Sequence, residues 1–560
     1  MLKLSSICIA VLFALHVPHA AAMGKPSAAL TQAAYAAQID AAIAPYFKAG
    51  DPGATIIVVK DGKTVYRKAY GMADVAGRRP LTPDTTLRLG SITKQFTAVA
   101  ILMLAEEGKL ALGDPITKFL PDYPTQGKTI TIEHLLTHTS GIASYTGRPG
   151  FMSNMHKDLT VAQVIDSFKD APMDFEPGTA WRYNNSGYFL LGAIIEKVSG
   201  KTYADFMAQR LFKPLGMTDT AYEGHERGRA PRALGYSVAE KGFEPSRPVS
   251  MTQPYAAGAL VSTVDDLARW DAAISSGKLI KEASWKRAFT AYGLSTGKPT
   301  KYGYGWELNS LRGLPVIGHG GDINGFNTYA ARIPGQKVFV AVLSNTDSGP
   351  VRAEHIVHKV AAIAIGKPFP AMKAVVLDDA TLDAYTGVYE IDKDAKRTFR
   401  RENGQLVMQR SGRDAVALQP YSETGFFVPD SLQKYDFSRN AEGAVSAVTQ
   451  TVDDVVVVNQ RIGALPPPRK TVQVAPAVFD VRAGRYEVAP GFEIKLTREG
   501  DRFFAQATRQ SKFEIFPASE DVYFYTVVEA ELRLQPAANG APATMTLVQG
   551  GREMKGNKVE

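Results

Sequence analysis

Ser91-Ile92-Thr93-Lys94 opens the run Gln95-Phe96-Thr97-Ala98-Val99-Ala100-Ile101-Leu102-Met103-Leu104-Ala105. Side chains three apart stand on one face of an α-helix, so this spacing brings the Ser91 hydroxyl and the Lys94 amine together. The helix is apolar nearly all round, which predicts a place inside a core. Burial disfavours an ammonium, so the Lys94 pKa should fall and leave a neutral amine able to serve as a base. Ser91, in the first turn, also gains from the positive end of the helix dipole. The spacing alone carries little, since Ser-x-x-Lys recurs at Ser275 to Lys278, Ser295 to Lys298 and Ser431 to Lys434. None of those three opens a long apolar helix.

Two distant segments supply companions. Phe175 to Tyr188 reads FEPGTAWRYNNSGY, a turn-rich loop that presents Tyr183 and Asn185 just before another helical run. A phenol beside a lysine can relay a proton, and an amide can bond both that lysine and a substrate amide. Further on, Ile317-Gly318-His319-Gly320-Gly321-Asp322 lies at a strand, where glycines let an extended substrate approach the edge. The backbone N–H groups of Ser91 and of Asp322, the residue after Gly321, are the expected oxyanion hole.

In this order, Ser91/Lys94, Tyr183/Asn185 and His319/Gly321 resemble the three motifs of the superfamily of class C β-lactamases, penicillin-binding proteins and D-aminopeptidases: Ser-x-x-Lys, Tyr-x-Asn and a Lys- or His-x-Gly strand. LRLGSITKQ (87–95), HLLTHTSGI (134–142), GALVSTVDDLARW (258–270) and YGYGW (302–306) are further stretches similar to that family, and the resemblance spans roughly 32–366. It implies a serine hydrolase with Ser91, Lys94 and Tyr183 catalytic and Asn185, His319, Gly321 and Asp322 binding substrate. One position departs. The commoner third motif begins with Lys, which in the family helps hold a substrate carboxylate, whereas His319 is mostly neutral near pH 7. His-x-Gly forms resemble D-aminopeptidase-like and esterase-like members. A peptidase for D-residue or cell-wall-type peptides is therefore the first expectation, and an esterase or weak β-lactamase the second. The alternative from another class is a non-catalytic peptide- or glycan-binding protein, which has no need of Ser91, Lys94 and Tyr183 together. No metal or organic cofactor is called for, and no feature sets an oligomeric state.

Around these motifs the pattern predicts an α/β (α+β) fold, an antiparallel sheet covered by helices. Helical periodicity marks Gln32 to Phe47, Ser91 to Glu107, Ser186 to Val198, Val264 to Ile274 and Val351 to Ile365. Ala54 to Val59 and Thr64 to Tyr66 flank Asp61-Gly62 as a hairpin, and strand-like runs return at Val316-Ile317, Asn327 to Ile333 and Lys337 to Leu343. From Lys367 the texture changes to short alternating strands, split by Pro466-Pro467-Pro468. The YTGVY of 385–389 is echoed by the AGRY of 483–486, which predicts two small antiparallel β-barrels in tandem. The expected units are residues 1–22 as a signal peptide, 30–366 as the hydrolase, 375–465 as a lipocalin-like β-barrel and 475–560 as a second barrel. The resemblance extends to this layout, since β-domains follow the hydrolase in D-aminopeptidases.

Composition excludes other classes. The 560 residues are 45% hydrophobic and 21% charged, ordinary for a globular protein, and the net charge of +8 is scattered rather than gathered into a stripe, so a nucleic-acid partner is not expected. Lys3, the apolar stretch from Ile7 to Val17 and Ala20-Ala21-Ala22 describe a secretory leader, so a periodic view of the N-terminus as a buried helix is disfavoured and a periplasmic or secreted product is expected. The single cysteine, Cys8, lies in that leader. No later segment has the ~20 apolar residues of a membrane span. His134 and His138 have metal-like spacing, but no Glu follows His134 as a zinc protease requires, so packing roles are expected.

Overall fold

The computed structural model describes residues 32–559 except 149, 226–229, 240, 350, 393–394, 412–414, 430, 454, 466–468, 490–491, 509–511, 527, 529, 538–542 and 550–551. The expected leader (1–22) and the Pro466–Pro468 linker lie outside the described residues.

The hydrolase part is built on a six-stranded antiparallel sheet. Its strands are β1 (Ala54–Lys60), β2 (Lys63–Tyr70), β3 (Glu307–Leu311), β4 (Leu314–Ile323), β5 (Phe326–Ile333) and β6 (Val338–Ser344), in the spatial order β3-β4-β5-β6-β1-β2. Alternation along β1 and β6 decides what packs where. Ile56, Val58, Val340 and Val342 point to one face, where they meet Ile39 and Ile43 of α1 (Gln32–Ile43). Ile57, Ala341 and Leu343 point to the other, under the larger helical layer. That layer contains α2 (Thr93–Glu106), α3 (Asn185–Ser199) and α4 (Val264–Ser275). A final helix, α5 (Ala353–Ala364), returns to the first face, burying Ile356, Val357 and Val360 beside α1. Each fully buried Val, Leu or Ile contributes about 1.5–3 kcal/mol relative to exposure, so the two faces together hold the sheet between its covering layers.

Two departures from sequence expectation position the site. β3 has no clear apolar alternation (ELNSL), yet it pairs with β4 from Leu311↔Leu314 to Glu307↔Gly318. β4 itself runs ten residues, well past Val316-Ile317, and continues to Ile323 against β5. Its last five residues, from His319, therefore extend beyond the end of β3.

The C-terminal region is mainly β, each sheet preceded by a short helix (Asp379–Ala384 and Pro476–Asp480) and each with its own aromatic core. Residues 484–558 form a closed eight-stranded barrel, sealed where Tyr486 pairs with Lys558. Residues 387–463 form a nine-stranded sheet that does not close by a ladder, a difference from the simple barrel expected. Its two end strands, Ala415–Ala417 and Gln419–Pro420, are joined by buried Leu418 alone, so the sheet must curl until its ends meet at that residue. The suspected repeat has a structural counterpart. Tyr389 Oη donates to the Tyr385 carbonyl (3.0 Å) and Tyr486 Oη to the Arg482 carbonyl (2.6 Å), each four residues back and each at the start of its sheet.

Candidate active site

Lys94 is wholly buried in the first turns of α2, and burial holds its pKa well below the ordinary lysine value. Its Nζ lies 2.9 Å from each of three oxygens: Ser91 Oγ, Asn185 Oδ1 and the Ala257 carbonyl. A neutral amine has two N–H donors and one lone pair. The carbonyl and the amide oxygen accept only, so they take the two donors. The lone pair is then left for Ser91, the one neighbour with a proton to give. The rings of Tyr183 and Tyr188 close the remaining space, 4.8 and 5.5 Å from Nζ.

Tyr183 enters from the loop before α3. Asn184 caps that helix, its Oδ1 accepting the Gly187 N–H at 2.8 Å. The backbone N–H of Asn184 donates to His138 Nδ1 (3.2 Å), and its amide also donates to the Ile142 carbonyl. These ties fix the residues on either side, Tyr183 and Asn185. Asn185 Nδ2 donates to Thr146 Oγ1 (3.1 Å), which leaves its Oδ1 turned to Lys94. The Tyr183 hydroxyl is buried, and among the described residues no partner meets it in ordinary hydrogen-bond geometry. Burial raises its pKa above the ordinary phenol value, and the nearby Ser91 hydroxyl pulls in the opposite direction. The phenol is thus protonated and lies beside Ser91.

Beneath it, His138 adopts a left-handed φ of 60° and packs its ring, tilted, with its centroid 4.4 Å from that of Tyr183 and 4.6 Å from that of Tyr302. His134 closes a capping box with Thr131. Both histidines therefore have packing and capping roles, and no group of three metal-binding side chains occurs among the described residues.

The strand β4 is pressed against the serine turn. A Cβ on Gly321 would lie 2.0 Å from the Leu89 carbonyl oxygen and 2.3 Å from Thr328 Oγ1. A Cβ on Gly90, whose φ is +54°, would meet the Asp322 backbone nitrogen at 3.1 Å. Glycine at both positions lets the two backbones touch and brings the Asp322 amide beside Ser91. The Asp322 carboxylate points elsewhere, to Asn327 Nδ2 (2.9 Å) and Arg352.

His319 differs from the expectation that it contacts substrate. It is 2% exposed, and both ring nitrogens are occupied. Nδ1 lies 2.6 Å from the Gly320 carbonyl, which only accepts, so the ring proton sits there. Nε2 then accepts from Tyr302 Oη at 2.8 Å. Burial, with Lys94 nearby, pushes the imidazole pKa down to about 3, so the ring is neutral. His319 fixes Tyr302 and the strand, and brings no cation to the site.

Sequence reasoning missed Tyr302, Tyr188, Thr146 and the Ala257 carbonyl, while the packing role expected for His138 matches its place against Tyr183 and Tyr302. Tyr302 lay within a stretch already noted for its family likeness; a backbone carbonyl leaves no side-chain signal at all. Tyr183 also borders a cleft of about 830 Å³, whose other walls include Trp181, Lys301, Tyr302 and Glu307.

A serine whose hydroxyl meets a buried neutral amine, beside a protonated phenol and a close backbone N–H, is the equipment of nucleophilic acyl transfer. The model of the Beta-lactamase family matches residues 39–364. Penicillin-binding protein 4* of Bacillus subtilis (strain 168) is 30% identical over 419 residues, covering 70% of this chain and 92% of that protein. Among solved structures, the octameric penicillin-binding protein homologue from Pyrococcus abyssi is 30% identical (TM-score 0.54), covering 74% of this chain and 95% of its own. D-amino acid amidase from Ochrobactrum anthropi SV3 is 25% identical (TM-score 0.51), covering 59% and 98%. The chain belongs to the β-lactamase family and is a serine hydrolase related to penicillin-binding proteins and D-amino acid amidase.

Proposed function

We propose that this protein is an exported peptidase acting on D-residue or cell-wall-type peptides, with Ser91 as its acylated nucleophile. The observation that carries the mechanism is the coordination of Lys94 Nζ by two obligate acceptors and Ser91 Oγ, all at 2.9 Å. Ser91 Oγ attacks the scissile carbonyl carbon while its proton passes to the lone pair of Lys94. The backbone N–H groups of Ser91 and Asp322 stabilise the tetrahedral oxyanion. The carbon–nitrogen bond then breaks. Tyr183 donates its phenolic proton to the departing amine and is reprotonated from Lys94, so the base returns to its starting state. Water attacks the acyl-enzyme by the reverse proton path, releasing a carboxylic acid and free Ser91. Asn185 holds Lys94 in place and lies where a substrate amide can reach it.

Kinship with a D-amino acid amidase supports the D-residue reading. The neutral, enclosed His319 argues against strong recognition of a substrate carboxylate, which favours amides and esters over carboxypeptidase chemistry. Export rests on the leader-like residues 1–22, and a periplasmic or secreted location follows from it. Labelling with a fluorescent penicillin or a fluorophosphonate, lost in Ser91→Ala, tests the nucleophile. Turnover of D-amino acid amides above short-chain esters and β-lactams tests the substrate class, and a higher kcat/KM for the esters would replace peptidase by esterase.

A further inference from the structure

Arg397 lies inside the curled sheet of 387–463, 4% exposed, on the strand Ala395–Glu402. Its Nη2 donates to Gln450 Oε1 at 2.7 Å, its Nη1 donates to Asn459 Oδ1, and its Cζ sits 5.1 Å from the centroid of the Tyr435 ring. Asn459 is fully buried, and turning its oxygen to the arginine leaves its Nδ2 in need of another acceptor. Among the described residues neither Asn459 Nδ2 nor Arg397 Nε has one. The residue directly opposite Arg397 on the neighbouring strand is Arg410, a second cation. Among the described residues no carboxylate forms an ion pair with either arginine. Like charges opposite one another on adjacent strands destabilise a sheet, and a buried cation ordinarily has a counter-ion. The cluster has more donors than acceptors and more positive charge than negative.

The fold does not ask for this arrangement, because the closed barrel of 484–558 repeats the same ladders without it. Tyr389 pairs with Arg397 as Tyr486 pairs with Ile494, and Tyr435 with Gln450 as Leu532 with Leu547. Val448 likewise pairs with Asn459 as Met545 pairs with Gly556. At one constant offset along the chain, Arg397, Asn459, Gln450 and Tyr435 therefore correspond to Ile494, Gly556, Leu547 and Leu532. The second barrel fills the same places with buried aliphatic side chains and a buried glycine. Packing alone suffices there, so the polar cluster of the first sheet serves something other than folding. Toward the hairpin end, the face of the sheet that carries Asn459 turns apolar. Val457, then Val455 and its cross-strand partner Val452, are 40%, 50% and 41% exposed. Gln450, between this rim and Arg397, is only half-buried, so the cluster reaches the solvent side through it.

We infer that the curled sheet of 387–463 is a binding site for an aliphatic carboxylate, whose acid group is held by Arg397 and Asn459 and whose hydrocarbon lies along Val452, Val455 and Val457. The site is independent of the acyl-transfer chemistry at Ser91. A small inorganic anion would satisfy the charge and leave the valines in water, whereas a neutral hydrocarbon would leave the arginine without a counter-ion. Only a ligand with both features meets the whole surface. A free fatty acid and the C-terminus of a hydrophobic peptide share that chemistry. The electrostatics agree: burial holds the Arg397 pKa below the ordinary guanidinium value, with Tyr435 opposing and Arg410 adding to the effect. A carboxylate placed beside the two arginines relieves both burdens.

The test is isothermal titration of the full chain with decanoate and decanol, and with the dipeptide Leu-Leu and its C-terminal amide. The acid of at least one pair is expected to bind roughly tenfold to hundredfold tighter than its neutral counterpart, the range of a charge-assisted contact. Arg397→Ile, which copies the second barrel, should abolish that preference while fluorophosphonate labelling of Ser91 proceeds at the wild-type rate. Its Tm should rise, because a packed apolar side chain replaces an uncompensated buried charge. Asn459→Ala keeps the cation and should weaken the acid by about tenfold, which carries the test if Arg397→Ile does not fold. A preference seen with decanoate alone upholds the site and assigns it to fatty acids; one seen with Leu-Leu alone upholds it and assigns it to peptide C-termini. Equal affinity of acid and neutral partner in both pairs, or a preference that both variants leave unchanged, overturns the proposal. Absence of binding by decanoate and Leu-Leu at millimolar concentration, with a lowered Tm in Arg397→Ile, returns the arginine to a structural role and overturns it as well.

Discussion

Replacing Gly321 by alanine sets a methyl group 2.0 Å from the Leu89 carbonyl oxygen and 2.3 Å from Thr328 Oγ1. Even tight carbon–oxygen contacts need about 3 Å, so β4 must withdraw from Leu89 by about 1 Å. The next residue carries the Asp322 amide, which moves away from Ser91 by a similar amount. Misplacing a reacting geometry by that distance costs about 10²-fold, and losing one oxyanion donor costs about 10²–10³-fold. Overpacking costs about 1–3 kcal/mol in stability, against the roughly 5–15 kcal/mol of a typical domain, so the variant should fold with a lowered Tm. The assay is the acylation rate with a chromogenic ester, read beside thermal unfolding. Gly320→Ala is the comparison, because its added Cβ comes no nearer to any atom than 3.2 Å, at Tyr329 Cδ2, and its loss should be much smaller. A Gly321→Ala enzyme that acylates within a few-fold of wild type would refute the claim that contact between these two backbones sets the oxyanion geometry.

Tyr183→Phe keeps the ring over Lys94 while deleting the proton relay, so turnover should fall by about 10²-fold or more with little change in Tm; equal turnover would remove Tyr183 from the proton path. Because burial lowers the Lys94 pKa, kcat/KM for an N-acetyl substrate should level off well below the ordinary lysine value of 10.5, whereas a profile still climbing there would mean an ammonium in the resting enzyme. His319, held near 3 when folded and 6.5 otherwise, binds its proton only on unfolding in that window. Its contribution to stability is intact above pH 6.5 and is lost as the pH falls toward 3, by up to about 1.4 kcal/mol per pH unit, measurable by denaturant titration. A stability that is flat from pH 6.5 to 4 in the wild type would show that the ring is not buried neutral.

The serine–lysine helix was legible because helical spacing and apolar content act within one turn, and both survive into the structure as α2. Asn184 followed by Ser186-Gly187 similarly marks a helix start, so the loop bearing Tyr183 and Asn185 could be placed from local signals. His319 could not be read the same way. Its outcome depends on a rotamer and on Tyr302, 17 residues earlier, which no local rule connects to it. β3 was missed because ELNSL lacks the alternation of a half-buried strand; its pairing with β4 comes from tertiary context. The same holds for the curled sheet of 387–463, where strand-like texture was plain but closure depends on how the end strands meet at Leu418.

The pocket around Lys94 Nζ also constrains timing. Once the amine has accepted a proton it has three N–H bonds to satisfy, yet after acylation its third neighbour is an ester oxygen, a far weaker acceptor than an alcohol. Two aromatic faces close the remaining directions around this fully buried nitrogen. The lysine is therefore a one-place store that empties readily: the captured proton is driven onward to the departing group, and bond cleavage and recharging of the base become steps of a single cycle.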